Sequence, residues 1–143
     1  MSSMNDVLAA SREFYSALNA MANGDAAAMA AAWATGDNVT AQHPIGGRDV
    51  GHDQVIASFA RVAEIAVGGG IRLEDQVIDA GSGMAVETGT EIGTLVIAGR
   101  DATIHHRVTN VYRMEGDRWK LAHHHTDISP GLMEILEDLT EVA

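Results

Sequence analysis

Histidine is the residue type whose number and placement could do chemistry here. There are seven in 143 residues, five of them in two short stretches, His105-His106 and His123-His124-His125. Imidazole titrates near a pKa of about 6.5, so it can take up or give a proton at neutral pH. Read as a strand, 119–127 alternates, which sets His123, His125 and Asp127 beside Trp119 and Leu121, and Lys120, Ala122, His124 and Thr126 on the other face. The first face is the more apolar, so His123 and His125 are expected to point inward. In the preceding strand His106, Val108, Asn110, Tyr112 and Met114 share the better core face, opposite His105, Arg107, Thr109, Val111 and Arg113. That places His106 and Asn110 inward. A bulge would invert such a parity beyond its position.

Each of these residues also has a plain structural reading. A strand histidine is commonly a surface or hydrogen-bonded core residue, Asn110 can satisfy a backbone group, Trp119 can be core, and Asp127 and Ser129 can cap a helix. Convergence favours a site, because several polar groups on apolar strand faces need partners or a pocket. His123 and His125 with His43 or His105 have the ligand types of a three-nitrogen metal set. No H-E-x-x-H or cysteine pattern accompanies them, so no metal is expected. A P-loop, a Rossmann glycine fingerprint and a G-x-S-x-G elbow are also missing, and no cofactor is expected.

The composition bounds the function class. Nine Lys and Arg against twenty Asp and Glu give a formal charge of −11. That argues against binding nucleic acid or an anionic membrane, both of which need a positive patch. With no cysteine there is no disulfide, thiolate metal site or cysteine nucleophile. The start, MSSMNDVLAASREF, does not read as a secretory signal, and the most apolar run, 26–34, is far short of the roughly 20 residues that span a bilayer. A cytoplasmic protein of one domain, 1–143, is expected.

The elements that position these residues run helices first, strands later. Met4, Val7, Leu8, Phe14, Tyr15, Leu18 and Met21 recur at helical spacing, and Asn23-Gly24 stops that helix. Asp25 is expected to cap an alanine-rich helix reaching Thr35-Gly36. Residues 38–43 read as a strand ended by Pro44, followed by a flexible loop to Gly51 and a helix over 52–67 stopped by Gly68-Gly69-Gly70. Strands are expected at 71–79, 84–98, 103–114 and 119–127, with hairpin turns between them, before a last helix with Ser129 as N-cap and Pro130 in its first turn. Helices followed by a meander make an α+β class.

Two patterns carry a resemblance over nearly the whole chain: D-x-V-x-x-x-x-P-x-G from Asp37 to Gly46, and R-V-T-x-V-Y-R…W-K-x-x-H-H-H from Arg107 to His125. They are similar to the SnoaL-like, ketosteroid-isomerase-like branch of the nuclear-transport-factor-2-like superfamily. The resemblance implies a cone: a curved antiparallel sheet wrapped around three N-terminal helices, with a short C-terminal helix, a deep pocket, and dimers formed through the sheet. It also implies that His43 stands where the isomerases have an aspartate base. Asn110 takes the place of their protonated aspartate donor, and Phe14, with Tyr15 beside it, the place of their oxyanion tyrosine.

A proton-transfer site follows as an expectation, with His43 as base, Asn110 as donor to an enolate oxygen, and His125 returning the proton. Tyr15, Trp33, His106, Tyr112 and His123 are expected around a small, largely apolar carbonyl or hydroxyl compound. The chain is then an isomerase, dehydratase or cyclase. The alternative is a non-catalytic dimeric module that binds a ligand or a partner.

Overall fold

The computed structural model describes residues 3–142. The order is α1 (Ser3–Ala22), α2 (Met29–Ala32), β1 (Thr40–Gln42), β2 (Arg48–Val50), α3 (His52–Ile65), β3 (Ala66–Ala80), β4 (Met84–Ile97), β5 (Arg100–Glu115), β6 (Arg118–Thr126) and α4 (Pro130–Val142). One six-stranded curved sheet, ordered β2-β1-β6-β5-β4-β3 and not closed, is the expected α+β architecture. The long strands β3 to β6 form an antiparallel meander, whereas β1 joins β6 in parallel, so the sheet is mixed and not purely antiparallel.

The core lies between the sheet's inner face and the helices. Val7, Phe14, Leu18 and Met21 of α1 are buried there with Trp33, Val55 and Phe59. Phe14 meets Tyr15, Trp33 and Phe59 edge-on, at ring-centroid distances of 5.0, 6.2 and 6.3 Å. Asn19 ties α1 to the edge strand: its amide donates to the Ile71 carbonyl at 3.1 Å and accepts the Ile71 N–H at 2.7 Å. The side chain thus closes part of an open sheet edge.

Three local expectations change. The alanine-rich helix is only the four residues of α2, and Asp25 accepts the Ala27 N–H at 2.9 Å in the turn before it. The loop after Pro44 contains β2, paired with β1. The glycine triplet does not stop α3; the chain passes from Ile65 straight into β3 and the triplet lies inside that strand. There the backbones of β3 and β4 approach so closely that a Cβ on Gly69 would sit 2.1 Å from the Thr94 oxygen, and one on Gly93 1.9 Å from the Gly70 oxygen. Glycine is needed for that approach, not for a stop.

Two bulges re-aim side chains. In β3 the register shifts between Glu74 and Val77, with Asp75 at φ 56°, and Gln76 reaches across to Glu87 of β4. In β6 the register shifts opposite Val111 and Tyr112, at Ala122. Trp119 and Leu121 are buried before it; His124 and Thr126 are buried after it. The expected inward placement of His123 and His125 is therefore inverted.

Candidate functional site

A cavity of about 70 Å³ opens between the sheet, α1, α3 and α4. Its walls are mostly apolar, including Leu18, Met21, Phe59, Ile71, Leu95, Ile104 and, from α4, Leu132 and Leu136. The polar groups at the wall are His43, Ser58, Glu91, His106 and His124. Few polar groups in an apolar concavity is the ordinary make-up of a small-molecule site.

Two carboxylate–imidazole pairs meet this cavity. His106 Nε2 lies 2.7 Å from Glu91 Oε1, with both side chains under 5% exposed. The other Glu91 oxygen accepts the Tyr15 hydroxyl at 2.8 Å. Burial pushes the Glu91 pKa up, but the hydrogen bond from His106, the His124 and His106 imidazoles and the Tyr15 hydroxyl more than offset it. Glu91 thus stays below the usual carboxylate range and ionised. Its pairing leaves His106 Nδ1 buried and without a partner among the described residues. In the second pair His43 Nε2 is 2.7 Å from Asp49 Oδ2, which also accepts the Ser58 hydroxyl. Asp49 is placed by β2, whose register pairs it with Ala41 of β1.

Behind the cavity lies a second buried carboxylate, Glu87, which is not exposed at all. It accepts from Ser11 at 2.7 Å, Gln76 at 2.6 Å, Asn110 at 3.0 Å and Tyr112 at 2.7 Å. Asn110 also donates to the Tyr15 oxygen at 3.0 Å, so the two carboxylate clusters form one network. Burial, with Glu91 beside Tyr15 and Glu87 beside Tyr112, drives both phenols far above their ordinary pKa, leaving them as donors. Asn110 Oδ1 sits 2.6 Å from His124 Nδ1. His124 is pushed down to about 4, first by burial and then by the His43, His106 and His123 imidazoles, against the pull of Glu91.

Of the residues expected at a site, His43 and His106 do line the cavity. Asn110, Tyr15 and Tyr112 form the network behind it and are spent on one another and on the carboxylates. Trp33 is core, 1% exposed, with its indole N–H buried and without a partner among the described residues. His123 is half-buried, bonds Thr40 at 2.7 Å, and is lowered by burial and by His125. His125 is exposed beside Gln42. Arg107 and Asp127 pair at the surface, where the Arg107 hydrogen bonds lower Asp127 to about 2. His124, Glu87, Glu91 and Asp49 join the site from the structure alone. Among the described residues no group of three or more His, Asp or Glu is arranged to hold a metal ion.

Comparison with known proteins gives a consistent family. The model of the SnoaL-like domain matches residues 7–129. No curated protein matches. Among solved structures, a candidate dehydratase of the NTF2-like family from Streptomyces avermitilis is 24% identical with a TM-score of 0.77, covering 89% of this chain and 96% of that one. A candidate calcium/calmodulin-dependent protein kinase type II association domain from Thiobacillus denitrificans is 25% identical, TM-score 0.69, covering 85% and 93%. A candidate scytalone dehydratase from Novosphingobium aromaticivorans is 12% identical, TM-score 0.72, covering 86% and 81%. No helix among the described residues is long and apolar enough to cross a membrane.

Proposed function

The chain belongs to the SnoaL-like domain family, and on that premise we propose that it is an acid/base enzyme that moves a proton on a small, largely apolar carbonyl or hydroxyl compound, by isomerisation or loss of water. The observation that carries this reading is His106: on this cavity-lining ring one nitrogen is held on the ionised Glu91 and the other has no partner among the described residues. A carboxylate-oriented imidazole with one free nitrogen is the usual arrangement for proton transfer.

In the elimination form, His106 Nδ1 takes the proton next to the carbonyl and that C–H pair becomes the new double bond. The C–O bond at the neighbouring carbon breaks, and the departing hydroxyl takes a proton from the imidazolium form of His43, whose Nε2–H is held by Asp49, and leaves as water, while the neutral His43 ring remains. In the isomerisation form the proton taken by His106 is returned at another carbon. Asn110 is a positioning residue in this scheme, because its amide is used up on Tyr15, Glu87 and His124. His125 has no part in it. Names of structural neighbours as dehydratases favour the same chemistry.

The same proposal includes a homodimer through the sheet. Its outer face exposes Met84 (58%) and Val86 (38%) of β4 and Val77 (64%) of β3, an apolar strip that a second copy would cover. A reducing, cytoplasmic setting suits a chain without cysteine. The reading is tested by turnover of small hydroxy ketones by the wild type and His106→Ala; loss of turnover with retained fold supports it, and equal turnover overturns it.

A further inference from the structure

We propose that His124 is an acceptor-only contact at neutral pH that makes the site selective for a neutral substrate bearing a hydroxyl, and against carboxylates. This rests on the cavity being the proton-transfer site. Asn110 Nδ2 has two acceptors, the Tyr15 oxygen and Glu87 Oε1, each at 3.0 Å. The amide is therefore fixed with Oδ1 toward His124, 2.6 Å from Nδ1. A carbonyl oxygen only accepts, so the proton of the neutral imidazole sits on Nδ1 and the lone pair on Nε2.

His124 is 2% exposed and lines the cavity, where His43 and His106 also stand. A proton on its Nε2 would add a buried charge beside those two imidazoles, and burial already holds its pKa at about 4. His124 thus accepts a hydrogen bond and does not supply a proton, which leaves donation and removal to His43 and His106. No Lys or Arg lines the cavity among the described residues, whereas Glu91 does. A carboxylate would find no Lys or Arg there and would meet an ionised Glu91. A hydroxyl on an apolar frame meets Nε2 and the walls of Leu18, Ile71, Leu95 and Ile104.

The test uses phenol, fluorobenzene and benzoate as probes on the whole protein labelled with ¹⁵N-histidine. At pH 7 the His124 ring is expected as the neutral Nδ1–H tautomer, with Nε2 shifting on phenol addition and not on fluorobenzene. Phenol should bind about 2- to 10-fold tighter than fluorobenzene, the yield of one neutral hydrogen bond, and benzoate more weakly than either. His124→Phe should erase the preference for phenol, and Asn110→Ala should change the His124 tautomer ratio. An Nε2–H or charged His124 in the wild type overturns the proposal, even where the variants fail to fold. So does an undiminished preference in His124→Phe. Neither result touches the proton-transfer reading, which depends on turnover by His106.

Discussion

Glu91 and His106 are direct cross-strand partners in the β4–β5 ladder, and their side chains meet at 2.7 Å with almost no exposure. A buried pair of this kind contributes little net stability but is costly to break, because the surviving group is left without a partner. Tyr15 takes the second Glu91 oxygen, so the carboxylate is fixed from two sides. Glu91→Gln should keep the fold while lowering turnover by at least about 100-fold, the range for a misdirected general base. Steady-state kinetics beside a urea melt separates the two effects.

Glu87 is the structural counterpart. Its four donors come from α1, β3 and β5. Glu87→Ala strands all four in the interior and should destabilise the protein by about 3 kcal/mol or more. Urea denaturation of the variant reads this directly; a loss below about 1 kcal/mol would mean that water replaces the carboxylate.

Gly69 and Gly93 mark where β3 and β4 touch backbone to backbone. Alanine at either has nowhere to place its Cβ, since the clash is with main-chain oxygen and not with a movable side chain. Each variant should lose at least about 2 kcal/mol, while Gly83→Ala, whose Cβ would meet nothing within 4 Å, serves as the control. Parallel thermal melts of the three variants are sufficient.

Acid should weaken the fold in two steps. His124 has a folded pKa of about 4 against an ordinary value of 6.5, so the unfolded chain binds the extra proton between those values. Stability is therefore full above pH 6.5 and lost as pH falls toward 4, by about 3 kcal/mol from this residue. Glu91 is depressed, so its contribution is lost only below its ordinary 4.5. Urea midpoints from pH 7 to 5 should fall in the wild type and flatten in His124→Phe; His123, also depressed, contributes the remaining slope.

How much was legible in the sequence depended on where the strands stay regular. In β5 alternation runs unbroken from Ala102 to Tyr112, so the sequence pattern and the structure agree that His106 and Asn110 face inward. In β6 one extra residue at Ala122 reverses everything after it, and nothing local in LAHHH announces it. Glu87 and Glu91 were hidden for another reason. Their face of β4 alternates with Gly89 and Gly93, while the outward face carries Met84, Val86, Ile92 and Val96, which reads as the better core. The signal that could have found them is cross-strand: an inward His106 and Asn110 need buried partners, and β4 supplies Glu91 and Glu87 opposite them.

The central claim is that His106, oriented by Glu91, moves a proton on a neutral substrate. The most direct measurement incubates the wild type and His106→Ala with small β-hydroxy ketones and β,γ-unsaturated ketones in D₂O, following their C–H signals by NMR. The account predicts deuterium exchange or loss of water with the wild type and a rate lower by about 10²- to 10⁴-fold in His106→Ala, with His105→Ala unchanged on the outer face of β5. Equal rates in the wild type and His106→Ala, or no exchange above buffer with any of these compounds, would contradict it and leave the cavity as a binding site alone.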